Sequence, residues 1–286
     1  MTQVGGLSIR NVGKVYDPEG INVHALQDFS CDISPGEFCV VVGPSGCGKT
    51  TLLNISPEVS VSKPAMIFSN VDTLTSGEIV MDGAVLTAPG KRLSPGADRM
   101  VVFQQGALFP WKTVLWNVTC GPVLQGRLSR AEAEAQARQL LSRTGLPGIE
   151  QQYPEELSSG MRRRVELVRA LMNDPKVLLL DEPFRALDAL TRGVMHEHLL
   201  ELYDLARKTV FFITHDLEEA IFLADRVVVM TTRPGRVKKV IDIDLPRPRD
   251  HHVLTTARYG ELEEEVLAAV QEEARKAFET GERELA

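Results

Sequence analysis

Nine consecutive residues, Gly43-Pro44-Ser45-Gly46-Cys47-Gly48-Lys49-Thr50-Thr51, constrain this chain more than any other stretch. They match the G-x-x-x-x-G-K-[ST] spacing of a phosphate-binding loop. They follow the apolar run Phe38-Cys39-Val40-Val41-Val42 and precede a helix expected to begin around Lys49. That strand–loop–helix placement is what the chemistry needs. Glycines let the backbone curl so that several N–H groups converge on a phosphate, and the helix N-terminus adds a favourable field. Lys49 reaches terminal phosphates, and the Thr50 hydroxyl suits a phosphate-bound magnesium ion. The stretch therefore predicts an α/β core that binds a nucleoside triphosphate.

A second run supplies the matching acids. Val177-Leu178-Leu179-Leu180-Asp181-Glu182 is continuously apolar up to two carboxylates, as expected of a central strand covered on both faces. Asp181 at the strand end is placed to hold magnesium through water, and Glu182 to polarise an attacking water. Phosphoryl transfer is mainly positioning and electrostatics, so two acids, a lysine and backbone donors are the expected parts. Asp188 is placed to cap a helix running to about Ala206. Thr209-Val210-Phe211-Phe212-Ile213 reads as the next core strand, closed by Thr214-His215-Asp216. His215 sits at the mouth of the sheet rather than within its apolar run, where it can sense a γ-phosphate or orient water. Asp216 and Glu219 read as a box-like cap, and Val227-Val228-Val229-Met230 as a further strand leading to the basic turn Arg233-Pro234-Gly235-Arg236.

The amino-terminal lobe alternates like β-structure at Leu7–Val12 and Phe29–Ile33. Tyr16, between these strands, is either a core or rim residue or a platform for a purine ring. The phosphate-loop helix is expected to end at Ser56-Pro57, and residues 56–72 read as an irregular surface excursion. Glu78–Met81 and the turn Asp82-Gly83 suggest a hairpin. Met100–Phe103 is a short apolar run leading into Gln104, which is either an ordinary surface glutamine or a contact to magnesium or water. Gly106–Trp111 concentrates apolar residues in a proline-containing loop, read as loop packing or a docking surface. Ser129 to Glu132 predicts a capping box ahead of a long helix ending near Thr144-Gly145. Leu157-Ser158-Ser159-Gly160-Met161 opens another helix, with Ser158 as N-cap and Val165, Val168, Leu171 and Met172 as its buried stripe. Its serine–glycine start is a cap or an anion site. Arg162, Arg163 and Arg164 read as a solvated face or as reinforcement of that anion preference.

Near the end, Val240–Leu245 alternates like an edge strand, broken by Pro246. His251-His252 lacks further ligands at metal spacing and reads as a surface pair. From Tyr259 an acidic amphipathic helix presents Leu262, Val266, Ala269 and Val270 on one face, to pack on the body or on a partner. The 286 residues carry net charge -7, so no global basic field calls for nucleic acid. Cys31, Cys39, Cys47 and Cys120 read as reduced core thiols. No secretion signal and no apolar run of about 18 residues is apparent, so a cytoplasmic protein able to dock on a membrane partner is expected.

These motifs, in this order, resemble the ATP-binding subunit of ABC transporters, and within it the importer group that handles nitrate, sulfonates and taurine. The resemblance rests on the phosphate loop, the LSGGQ-like Leu157–Met161, the Asp181-Glu182 pair and His215. Phe109-Pro110-Trp111 and Leu245-Pro246-Arg247-Pro248-Arg249 point to the importer group. It implies a P-loop NTPase core of ABC ATPase type over 1–245, with an N-terminal antiparallel β subdomain and a helical signature subdomain at about 106–172. A C-terminal extension over 246–286 would follow. It also implies ATP and Mg2+ as ligands, with Tyr16 on adenine and the loop Gly43–Thr51 on the phosphates. Thr50, Gln104 and Asp181 would face magnesium, with Lys49, Glu182 and His215 in catalysis. Two like or closely related subunits would sandwich ATP, so that Ser158 and Gly160 meet the γ-phosphate in trans. Closure would drive separate transmembrane permease subunits, supplied by a substrate-binding protein, from the inner face of the membrane.

The chain departs from the family pattern at several points. Ser159 replaces the first signature glycine, Arg185 the glycine or serine usual before Ala186, and Arg163, Glu166 and Val168 smaller or neutral residues. About twelve extra residues follow Ile55. An ATP-dependent dimerising regulator with little hydrolysis is the competing expectation.

Overall fold

A computed structural model of the chain describes residues 4–17, 22–55, 73–91, 96–104, 106–185 and 187–279. The expected excursion at 56–72 lies outside the described residues.

The run before the phosphate loop forms strand β3 (Phe38–Val42), all five residues of which are buried. It lies inside a sheet with β6 (Arg99–Val102), β7 (Val177–Asp181), β8 (Thr209–Ile213), β9 (Arg226–Met230) and β10 (Val237–Asp242), ordered β10-β9-β3-β8-β7-β6. All neighbours pair in parallel except β10, which runs antiparallel along the edge. Continuous apolar strands follow from cover on both faces. Val40, Val42, Leu180, Phe212 and Val229 join one core cluster. Their neighbours Cys39, Val41, Leu179, Phe211 and Val228 join the other.

The second cluster is closed by a four-stranded antiparallel sheet, ordered β2-β1-β4-β5, from β1 (Leu7–Tyr16), β2 (Val23–Ile33), β4 (Ser76–Met81) and β5 (Ala84–Thr87). The hairpin turn Asp82-Gly83 has both residues at positive φ, the turn geometry that matches strand twist. β1 and β2 are longer than the alternation suggests. Register shifts between Ile9 and Val15 break the period-2 pattern without ending the pairing.

The first cluster is covered by α5 (Ala189–Ala206), α6 (Leu217–Leu223) and α7 (Ala257–Glu279), with Leu262, Val266 and Ala269 buried in it. The acidic helix thus packs on the body. A third cluster unites α2 (Val114–Leu124), α3 (Arg130–Arg143) and α4 (Ser159–Met172). α3 carries both halves of the Ser129–Glu132 capping box.

Two local expectations need correction, and one helix, α2, went unread in the sequence, with Gly121 and Pro122 both buried within it. Asn117 makes the entry specific, accepting from Phe109 N and donating to the carbonyls of Phe109, Lys112 and Thr113. The edge strand is 237–242 rather than 240–245. Ile243 and Leu245 keep the inward alternation after the ladder ends, with Ile243 N bonded to Asp225 O at 2.9 Å. The Asp216/Glu219 box is half a box: Asp216 Oδ1 caps Glu218 N and Glu219 N, while Glu219 Oε2 takes the Thr214 hydroxyl.

No helix among the described residues is long and apolar enough to cross a membrane.

Candidate nucleotide site

The phosphate loop turns from β3 into α1 (Lys49–Ile55). Gly48 shows why a side chain is excluded there. Its φ is +100°, and a Cβ would lie 2.8 Å from the Ala25 carbonyl oxygen. Lys49 Nζ donates to Gly43 O at 2.7 Å and Pro44 O at 3.0 Å, so its ammonium is held against the loop. Cys47 is buried beneath, and burial pushes its thiol pKa up.

Around this loop lies a groove of about 390 Å³. It brings together Tyr16, Ser45, Gly46, Gly48, Lys49, Thr50, Thr51 and Glu182 from the sequence expectation. Tyr16 is the last residue of β1 and faces Val23, with Lys14 Nζ 4.8 Å from its ring centroid.

The two acids occupy different environments. Asp181 is buried, and its Oδ1 has no hydrogen-bond partner among the described residues. Burial first, then the charge of Glu182, raises its pKa to about 6, while Lys49 and Arg163 pull the other way. Glu182 adopts φ 40°, in the left-handed region, and its N–H donates to Ile213 O at 2.9 Å. Such a backbone is strained for a residue with a Cβ. His215 Nδ1 lies 3.1 Å from Glu182 Oε1, so the histidine expected at the sheet mouth meets the acid expected to act on water. Behind it, Arg192 Nη1 donates to Asp216 Oδ2 at 2.6 Å, and His196 Nε2 lies 3.3 Å from Glu219 Oε1.

Gln104, Ser158 and Gly160 are among the expected residues that do not line the groove. Gln104 is exposed, and its backbone oxygen accepts from Arg163 Nη2 at 2.9 Å. Ser158 caps α4, accepting from Met161 N at 3.2 Å. Gly160 is buried against the start of α5, where a Cβ would come within 2.9 Å of Thr191 Cγ2. The arginines after them differ in exposure, Arg162 being exposed, Arg164 half-buried and Arg163 buried. Arg162 donates to Pro154 O and Arg164 to Thr144 O. Arg163 is buried in an ion pair with Glu166 at 2.6 Å and reaches Phe103 O and Gln104 O. Only Arg163 departs from a solvated face, because its side of the helix packs against the loop after β6, while Arg162 stays exposed and Arg164 half-buried.

Two charged groove residues were missed as site residues. Arg185 lines the groove and donates from Nη1 to Glu182 Oε2 at 3.1 Å. It was legible only as a departure from the family pattern. Arg233 also lines it, donating from Nη2 to Gly46 O at 3.3 Å. The basic turn was visible in the sequence, but its proximity to the loop depends on the β9–β10 connection.

Comparison with known proteins places this geometry. The ABC transporter family matches residues 26–185. The chain is 42% identical over 272 residues to an uncharacterized ABC transporter ATP-binding protein of Methanocaldococcus jannaschii, covering 95% of this chain and 94% of that one. It is 41% identical over 272 residues to the taurine import ATP-binding protein of Roseobacter denitrificans, covering 92% of each. A dimeric structure of a bacterial ABC transporter cassette superposes with TM-score 0.68 at 29% identity, over 84% of this chain and all of that one. With its phosphate loop, acid pair and helical subdomain in the shared arrangement, the chain belongs to the ATP-binding, ATP-hydrolysing subunits of ABC transporters and is related to the nitrate, sulfonate and taurine import ATPases.

Proposed function

We propose that this chain powers uptake of a small anion or sulfonate-like solute through separate permease subunits, from the cytoplasmic face of the membrane where ATP is supplied. The observation that carries the hydrolytic assignment is the shared groove of the phosphate loop and Glu182, with His215 on the same carboxylate. Tyr16 stacks on adenine, the Gly43–Thr51 loop and Lys49 hold the phosphates, Glu182 polarises the attacking water and His215 orients it. Support for magnesium is the buried, unpartnered Asp181 Oδ1 together with Thr50 on the groove wall. Thr50, Asp181 and Gln104 are its proposed holders; when bound, it would neutralise charge on the terminal phosphates.

Two copies, or this chain with a closely related subunit, form the working unit, with Ser158 and Gly160 acting on the partner's nucleotide. That neither lines this chain's own groove, and that the related cassette is dimeric, supports that reading. The surface from Gln104 to Trp111 engages the permease. Trp111 there is 62% exposed. Support for the solute class is the relation to the sulfonate, nitrate and taurine import proteins.

The experiment is reconstitution of the chain with its co-purifying permease in liposomes, with the cognate binding protein. ATP-dependent accumulation of labelled taurine, an alkanesulfonate or nitrate is expected. Hydrolysis that never couples to accumulation of any of these solutes removes the transport assignment while leaving the ATPase.

A further inference from the structure

Arg185 is the one residue in the groove whose guanidinium is bound to the proposed water-polarising acid. Its side chain is 59% exposed, and its partner Glu182 is 13% exposed. Both oxygens of Glu182 are engaged, Oε1 by His215 and Oε2 by Arg185. The same guanidinium faces the groove that Ser45, Gly46, Lys49 and Thr50 line. An arginine fork suits phosphate oxygens as well as carboxylate oxygens. A partly exposed ion pair is weak, so an incoming polyanion can displace the carboxylate.

We propose that Arg185 is a nucleotide-exchanged latch: it holds Glu182 until a γ-phosphate takes the guanidinium, which at once adds a phosphate contact and frees Glu182 Oε2. This rests on the nucleotide-site reading above and adds to it a residue that tells triphosphate from diphosphate. A diphosphate ends short of the Glu182 end of the groove and leaves the latch closed. Exchange also answers an electrostatic difficulty. Asp181 and Glu182 crowd negative charge where the nucleotide tail arrives, and Lys49 is already committed to loop carbonyls.

The test measures affinities of the full chain for adenylyl imidodiphosphate and for ADP, both with Mg2+, by calorimetric titration. Arg185→Ala should weaken the triphosphate analogue about tenfold and ADP less than about twofold. Arg185→Lys keeps a point charge without the fork and should lose about threefold for the analogue. Glu182→Gln should tighten the analogue, and that gain should shrink when Arg185→Ala is added. An unchanged ratio of the two affinities in Arg185→Ala, equal weakening of both nucleotides, or an undiminished gain in the double variant each overturns the latch. A wild-type chain that binds neither nucleotide instead overturns the nucleotide site itself.

Discussion

Arg163 Nη1 lies 2.6 Å from Glu166 Oε2, one turn along α4, and both side chains are less than a tenth exposed. The pair reaches beyond its helix. Arg163 donates to Phe103 O and Gln104 O, and Glu166 Oε1 accepts from Ala107 N at 2.6 Å. The two charges therefore fasten the loop after β6 to the helix that begins at Ser158. Glu166→Ala strands a buried guanidinium and an amide, and should cost about 3–5 kcal/mol in urea unfolding. Adding Arg163→Gln removes the stranded charge and should recover a large part of that loss. A double variant no more stable than Glu166→Ala would show that the pair is not coupled in this way.

Hydrolysis should depend on the Glu182 carboxylate. Glu182→Gln preserves the shape but cannot polarise water, so single-turnover ATP cleavage should fall by about a hundredfold or more. Rapid-quench measurement checks this, and equal rates in the two proteins would remove Glu182 from the chemistry.

Asp181 links stability to pH. Its pKa rises from 3.8 in the unfolded reference to about 6 in the fold, chiefly through burial. Between those values the folded chain keeps a proton that the unfolded chain has released. Its contribution to stability therefore falls as pH rises through the window, reaching a penalty of about 2–3 kcal/mol above it. Without nucleotide, Asp181→Asn should gain on the wild type in urea midpoint between pH 4 and pH 7. Parallel pH profiles for the two proteins would contradict the burial argument.

Arg249 is 7% exposed, and its hydrogen bonds among the described residues all run to main-chain carbonyls. It donates to Ile221, Phe222 and Ala224 on the α6 side and to Ile243 and Leu245 beyond β10. Burial, then neighbouring Arg247, lowers its pKa to about 10. Arg249→Ala leaves several of these acceptors unpaired and should lower stability by about 2–4 kcal/mol. Arg249→Lys should restore only part, since an ammonium cannot reach both sets. A melting temperature unchanged in Arg249→Ala would refute the assignment.

Local chemistry explains what was readable in the sequence. Strands β3, β7 and β8 announce themselves because two covered faces require unbroken apolar residues. Ser129, Ser158 and Asp188 announce helix starts because a cap is a contact over three residues. The groove's phosphate side was readable for the same reason, being one continuous loop. What stayed hidden depends on partners far along the chain. Arg163 looks solvent-facing until Glu166 and the loop after β6 are placed against it. Arg185 is three residues from Glu182, yet only the turn after β7 shows that its guanidinium points back to that acid.

The carboxyl-terminal helix touches the machinery through a short relay. Glu273 Oε2 accepts from Thr232 N at 3.0 Å, and the next residue, Arg233, donates to Gly46 in the phosphate loop. The tail is thereby tied to the phosphate loop, so a change at the buried Glu273 carboxylate reaches Gly46 through the Thr232–Arg233 step.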